Sequence, residues 1–128
     1  MDRRYYQRTK IDLESVFLLS DKDIFPREFN GVIEDISESG VKIVIDPLTS
    51  DVLTSCINVN DSLHFNCLDE YSLFGKDHSA VLDGEIKVIR KDATEKNTVL
   101  GYIFNPSTKN ISNYVKDMKT SAFISNLR

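Results

Sequence analysis

The chain has 128 residues, a formal net charge of −4 and a sequence pI of about 5.1. Its hydrophobic fraction of 41% and charged fraction of 28% are ordinary for a soluble globular protein, and its length predicts a single domain. The acidic balance argues against a basic surface that would hold a nucleic acid polymer. The N-terminus is charged and lacks the apolar region of a secretory signal. We therefore expect a cytoplasmic protein without direct membrane insertion.

The first ten residues form a local cationic patch on this acidic chain. Residues 3–10 contain four cations and no acid: Arg3, Arg4, Arg8 and Lys10. Arg4 and Arg8 have the spacing R-x-x-x-R, which in a straight strand would separate them by about 13 Å. A turn or a wrapped segment grips one compact anion more easily. We therefore predict that residues 1–10 form a mobile arm, not a strand, and that this arm becomes ordered on binding.

Six segments between residues 11 and 106 have the alternating or β-rich pattern of strands. They are Ile11–Leu19, Gly31–Glu34, Gly40–Asp46, Ser62–Leu68, Ser79–Arg90 and Thr98–Phe104. Residues 35–40 read as a hairpin turn in which Gly40 takes the left-handed position. Residues 21–30 read as a loop and residues 70–77 as a connection. Residues 47–55 fit either a helical turn or a loop.

The last predicted element is an amphipathic helix over residues 107–128. Apolar side chains recur there at three- and four-residue steps, at Ile111, Tyr114, Val115 and Met118. Short strands with turn signals followed by one helix favour a small antiparallel barrel on which the helix packs. We predict a barrel over residues 11–106 with the helix docked on it or on a partner subunit.

The predicted turn carries a second motif, D-x-S-x-x-G, formed by Asp35, Ser37 and Gly40. A carboxylate such as Asp35 can accept hydrogen bonds from the N1–H and N2–H₂ donors of a guanine, and Ser37 can donate or accept beside it. Glycine permits close approach of the backbone to a flat base. Arginine forks in turn suit phosphate oxygens and the O6 and N7 atoms of guanine.

The two motifs occur in this order with strand-like sequence between them, and together they resemble the signature of the PilZ family of bacterial receptors. Three further runs are similar to strands of that family: residues 30–37, 83–89 and 101–104. The resemblance implies a six-stranded antiparallel barrel with a C-terminal α-helix, as a stand-alone module. Ser39 stands where many members have a second glycine.

The resemblance also implies a ligand, the second messenger cyclic di-GMP, bound without any cofactor. The ligand-binding residues would be Arg3, Arg4, Arg8, Asp35, Ser37 and Gly40. Family members with an additional arginine before R-x-x-x-R tend to bind two intercalated ligand molecules, and Arg3 matches that pattern. The implied function is that of a receptor or adaptor that transmits ligand binding to an unidentified downstream protein by ordering its arm.

Other interpretations stay open at this stage. A degenerate PilZ-like adaptor that binds proteins but no nucleotide is the main alternative, and a nucleic-acid-binding barrel is another. Tyr5 and Tyr6 fit either stacking on a guanine or packing within the arm. Arg90, at the end of a strand, either lines the site or, as we expect, is a surface arginine. The sequence has no nucleophile–base pattern and no metal-like spacing of His64 and His78, so we expect neither catalysis nor a metal site.

Overall fold

The computed structural model describes residues 9–20, 22–92, 97–104 and 108–127. These residues form six strands and two helices in chain order. The elements are β1 (Thr9–Leu19), β2 (Glu28–Ile36), β3 (Gly40–Ile45), α1 (Asp51–Ser55), β4 (Ser62–Leu73), β5 (Lys76–Asp92), β6 (Thr98–Phe104) and α2 (Thr108–Asn126).

All six strands are antiparallel to their neighbours in one sheet with the order β1-β2-β3-β6-β5-β4. The sheet closes on itself because β4 also pairs with β1, through Val16–Leu19 and Leu63–Asn66. The prediction of six antiparallel strands with a C-terminal helix is therefore confirmed, and the pairings close the sheet into a barrel.

The core lies inside the closed sheet because alternate residues of each strand point inward. In β3, for example, Val41, Ile43 and Ile45 are buried, whereas the residues between them are half-exposed. The helix α1 and the turn after it contribute Leu53 and Ile57. Both cysteines are free thiols, and Cys67 is buried.

The helix α2 packs on the outside of the barrel against β5 and β1. Three of its predicted apolar positions, Ile111, Tyr114 and Val115, are at most 1% exposed. Two tyrosines fasten the helix to β4: the Tyr114 hydroxyl donates to Asp69 at 2.8 Å, and the Tyr71 hydroxyl donates to Asp117 at 2.5 Å. The prediction that this face docks on the barrel is confirmed.

The beginning of the barrel differs from the prediction. Thr9 and Lys10 belong to β1, so the expectation that the arm extends to residue 10 without strand structure is wrong at these two positions. They pair with Ile36 and Asp35 of β2, which extends the sheet to these two residues. Residues 1–8 of the predicted arm lie outside the described residues. The second strand likewise begins earlier than predicted, at Glu28.

The predicted connection over residues 70–77 is also wrong. β4 continues to Leu73 and β5 begins at Lys76, so only Phe74 and Gly75 form the turn. Both have positive φ angles, 52° and 74°, as a two-residue hairpin turn requires. The ambiguous segment after β3 contains the short helix α1, whose N-cap Ser50 accepts from the Leu53 N–H at 3.2 Å.

Candidate ligand-binding site

The turn between β2 and β3 is held by the side chain of Ser37. Its hydroxyl oxygen accepts from the N–H of Gly40 at 2.8 Å and from that of Ser39 at 3.3 Å. The Ser37 N–H donates to the Gly40 carbonyl at 2.8 Å. Ser37 is only 3% exposed, and these hydrogen bonds fix the shape of the turn.

Gly40 is required in this turn for a reason other than the one predicted. Among the described residues, the glycine with a positive φ is Gly75, so the left-handed position expected for Gly40 is wrong. Gly40 instead opens β3, and a Cβ atom placed on it would lie 3.3 Å from the Ser37 hydroxyl. Glycine therefore leaves room for the hydroxyl that organises the turn.

The turn is attached to two other elements. The Ser39 carbonyl accepts from the Ile103 N–H of β6 at 2.8 Å, which fixes the turn against the neighbouring strand. Glu38 lies 3.9 Å from Lys119 of α2 as a partly exposed ion pair. The turn consequently touches both the barrel and the C-terminal helix.

A β-bulge turns Asp35 away from the core. Ile33 pairs with Ile43 and Asp35 pairs with Lys42, so Glu34 is an extra residue in β2. Ile33 and Ile36 are fully buried, whereas Asp35 between them is half-buried. Strict alternation from Ile33 would have pointed Asp35 inward, and the bulge shifts the phase by one residue. The carboxylate therefore lies on the outer face.

Two lysines flank Asp35 on the outer face. Lys10 of β1 and Lys42 of β3 are its direct partners in the sheet, and directly opposed residues point to the same side. Lys42 lies 3.1 Å from Glu34, and Lys10 lies 3.9 Å from Asp12. The surroundings of Asp35 are thus mixed in charge, with both cations accessible to solvent.

The structure brings together three of the six residues that the sequence predicted to bind ligand. Asp35, Ser37 and Gly40 form one end of the hairpin, as the spacing of the motif predicts. The three arginines, Arg3, Arg4 and Arg8, lie outside the described residues. Ligand contact by any of the six stays a prediction.

The row of outward residues through Asp35 continues across the sheet. In order from β1 to β5 the row contains Lys10, Asp35, Lys42, Leu100 and Arg90. Arg90 joins the row through a second bulge, because Val88 pairs with Gly101 and Arg90 with Leu100, which leaves Ile89 as the extra residue. Arg90 is a surface residue, as interpreted from the sequence.

A parallel row lies beside the turn. Gly40 pairs with Tyr102 of β6, and Tyr102 pairs with Lys87 of β5. Tyr102 is 44% exposed between the buried Gly101 and Ile103. Tyr102 belongs to neither sequence motif, although the alternation of β6 already indicates that it faces outward.

The described ranges contain neither a metal-binding cluster nor a membrane-spanning helix. Within them, no group of three histidine, cysteine, aspartate or glutamate residues is arranged to hold a metal ion. Nor does any helix there combine the length and apolarity that crossing a membrane demands.

The structure is thus a small six-stranded β-barrel domain in which an ordered hairpin turn lies beside the start of the first strand. The profile of the PilZ domain matches residues 2–117. The chain belongs to the PilZ domain family, which comprises cyclic di-GMP receptors and adaptors.

A solved structure supports the fold assignment. The chain is similar to the Bacillus subtilis inhibitor of motility MotI/DgrA, with a TM-score of 0.65 and 18% sequence identity. The similarity covers 94% of this chain and 53% of that one, so the chain spans about half the length of this neighbour. No curated protein matches the chain.

Proposed function

We propose that this chain is a non-enzymatic receptor for cyclic di-GMP that passes ligand binding on to a partner protein. The observation that carries the proposal is the placement of Asp35. Its side chain lies half-buried on the outer face beside the start of β1, with the Oδ1 atom buried, and membership of the PilZ family supplies the ligand class.

The assignment of roles follows the chemistry of the ligand. Cyclic di-GMP has two guanines and two anionic phosphates. The Asp35 carboxylate would accept from the N1–H and N2–H₂ donors of one guanine. The forks of Arg4 and Arg8 would bind phosphate oxygens or the O6 and N7 atoms of guanine.

The position of β1 supports a shared site for both motifs. Thr9 is paired with Ile36, between Asp35 and the turn, and Arg8 is bonded to Thr9. The first described residue of β1 therefore lies beside Asp35 and the turn, and the motif arginines precede it in the sequence. Spacing in the sequence and register in the sheet therefore favour the same site.

We further propose that ligand binding orders residues 1–8 across the turn and so creates a new surface for the partner. A ligand shifts such an equilibrium only by binding the ordered state more tightly, and an anion held by arginine side chains supplies that difference. The Glu38–Lys119 pair offers a contact through which α2 senses the state of the turn.

The proposal is tested by calorimetric titration of the full chain with cyclic di-GMP, with cyclic di-AMP and GTP as comparison ligands. The double variant Arg4→Ala/Arg8→Ala should bind at least about tenfold more weakly, as expected for lost charge-assisted hydrogen bonds. Arg27→Ala is the matched control, because Arg27 is exposed in the segment before β2, away from the turn.

Two results would contradict the proposal. If the wild-type chain fails to bind cyclic di-GMP, the adaptor that binds no nucleotide becomes the better description. If the double variant retains full affinity, the arginines are not part of the site.

A further inference from the structure

Beyond the motif residues, we propose that the ligand-binding surface extends across β6 and β5, where Tyr102 stacks on a guanine and Arg90 binds a phosphate. This inference rests on the proposed function and adds two residues that belong to neither motif. The inference rests on the arrangement of side chains on the outer face of the barrel.

Two β-bulges determine which side chains lie on this face. One bulge, at Glu34, turns Asp35 outward, and the other, at Ile89, turns Arg90 outward. After the second bulge Lys91 points inward and donates to the Thr54 carbonyl. The bulges therefore act on the same row of the sheet and place an acid and an arginine on one face. Bulges commonly re-aim side chains next to functional sites.

The neighbouring row contains an exposed aromatic side chain, Tyr102. Tyr102 lies directly opposite Gly40, which has no side chain to cover the ring. The next backbone amide, that of Ile103, is bonded to the turn at Ser39. The ring is therefore held beside the turn by backbone contacts, exposed on the outer face. Phe104 supports it, with ring centroids 6.0 Å apart.

The distance between Tyr102 and Asp35 fits a ligand with two bases. Tyr102 lies two strands from Asp35 and two residues further along, so strand spacing and rise separate their Cα atoms by about 12 Å. A ligand with two bases, or two stacked ligands, spans the distance. We therefore assign Tyr102 to a different base from the one that Asp35 reads.

Positive charge accompanies the aromatic ring on this surface. Lys42 lies on the outer face of β3, and Lys87 and Arg90 lie on that of β5, with β6 between the two strands. Arg90 has a side chain 69% exposed, and its contact with Asp92 is at 4.0 Å, the limit of an ion pair. Such a weak, solvated contact leaves the guanidinium available to an anion. The aromatic ring between cations matches a ligand that alternates bases and phosphates.

The experiment is calorimetric titration of the full chain with cyclic di-GMP. Tyr102→Ala should weaken binding about tenfold, the loss typical of one base–aromatic stack, and Tyr102→Phe should bind like the wild type. Arg90→Ala should weaken binding about fivefold and reduce its dependence on salt, because one cation fewer is screened. Phe123→Ala and Arg27→Ala are the matched controls, since both change exposed side chains elsewhere.

The outcomes separate this inference from the proposed function. A wild-type chain that does not bind cyclic di-GMP overturns both. A wild-type chain that binds, together with Tyr102→Ala and Arg90→Ala variants of unchanged affinity and salt dependence, overturns only the extension of the site. Circular dichroism of each variant verifies that the barrel is intact. If the alanine variant is unstable, Tyr102→Leu replaces it, because leucine keeps an apolar side chain without an aromatic ring.

Discussion

At the scale of single residues, the bulge at Glu34 decides what Asp35 can do. Because its side chain points outward, its removal should affect the ligand and not the core. Asp35→Ala is expected to lower affinity for cyclic di-GMP about tenfold and to reduce the preference over cyclic di-AMP. Calorimetry measures the affinities, and thermal unfolding measures the fold. Normal binding, or loss of the folded state, would show that the acid is structural.

For Gly101 we expect a loss of stability instead, because the neighbouring atoms leave no room for a side chain. A Cβ atom there would lie 2.3 Å from the Ile86 side chain and 2.9 Å from the Lys87 carbonyl oxygen. Gly101→Ala should destabilise the protein by about 2–3 kcal/mol, measured by urea unfolding. Gly75→Ala is the control: nothing lies within 4 Å of its added Cβ, and only its positive φ is unfavourable, by about 1 kcal/mol. Equal losses would contradict this difference.

The residue scale is also where local sequence is most informative. The spacing of the motif places Asp35, Ser37 and Gly40 in one turn because these residues are neighbours in the chain. It does not reveal that the Ser37 hydroxyl is used inside the turn, or that Tyr102 stands opposite Gly40. Both depend on the register between β2, β3 and β6, which residues distant in sequence determine together.

At the scale of elements, the tyrosines between β4 and α2 give the fold a pH dependence. Burial and the hydrogen bond to Asp117 raise the pKa of Tyr71 to about 12, and burial and the hydrogen bond to Asp69 raise the pKa of Tyr114 further. A tyrosine in an unfolded chain has a pKa of about 10. The folded state therefore retains these protons more strongly than the unfolded state.

The sign of the effect follows from proton linkage. The stability contributed by Tyr71 is fully present below pH 10 and is lost as the pH rises through 12. Urea unfolding at pH 8 and pH 11 should show a smaller fall for Tyr71→Phe than for the wild type. At pH 8 the variant should be about 1 kcal/mol less stable, because it lacks the hydrogen bond. Identical falls in the two proteins would argue against this contact.

Elements with an apolar face were predictable, and those without one were not. The sequence predicts β6 with the bounds that the structure has, because its inward residues alternate clearly. The outer part of the β4–β5 hairpin has mostly polar residues, and its sequence therefore favours a connection. In the structure it is held by backbone pairing and by the stacking of Tyr71 on His78, with ring centroids 5.2 Å apart. Such cross-strand contacts leave no periodic signal in one strand.

At the scale of the whole molecule, the outer face predicts more than one ligand per chain. The cations and the aromatic ring extend over several strands, and the arm adds Arg3 to the two motif arginines. A third guanidinium group offsets part of the electrostatic repulsion between two anionic ligands. We expect about two cyclic di-GMP molecules per chain in calorimetry, falling towards one in Arg3→Leu with binding retained. A ratio near one for the wild type would contradict this expectation.

The uneven pairing of β1 has a consequence for hydrogen exchange. Thr9–Leu18 pairs with β2, whereas pairing with β4 covers only Val16–Leu19. The first half of the strand is therefore bonded within the sheet along one edge, at the end that approaches the turn. Backbone amides with fewer partners open at lower free energy, so this half should exchange with deuterium faster than the second half. A ligand that bridges the arm and the turn would slow exchange there first, which makes β1 an internal reporter of occupancy that requires no label.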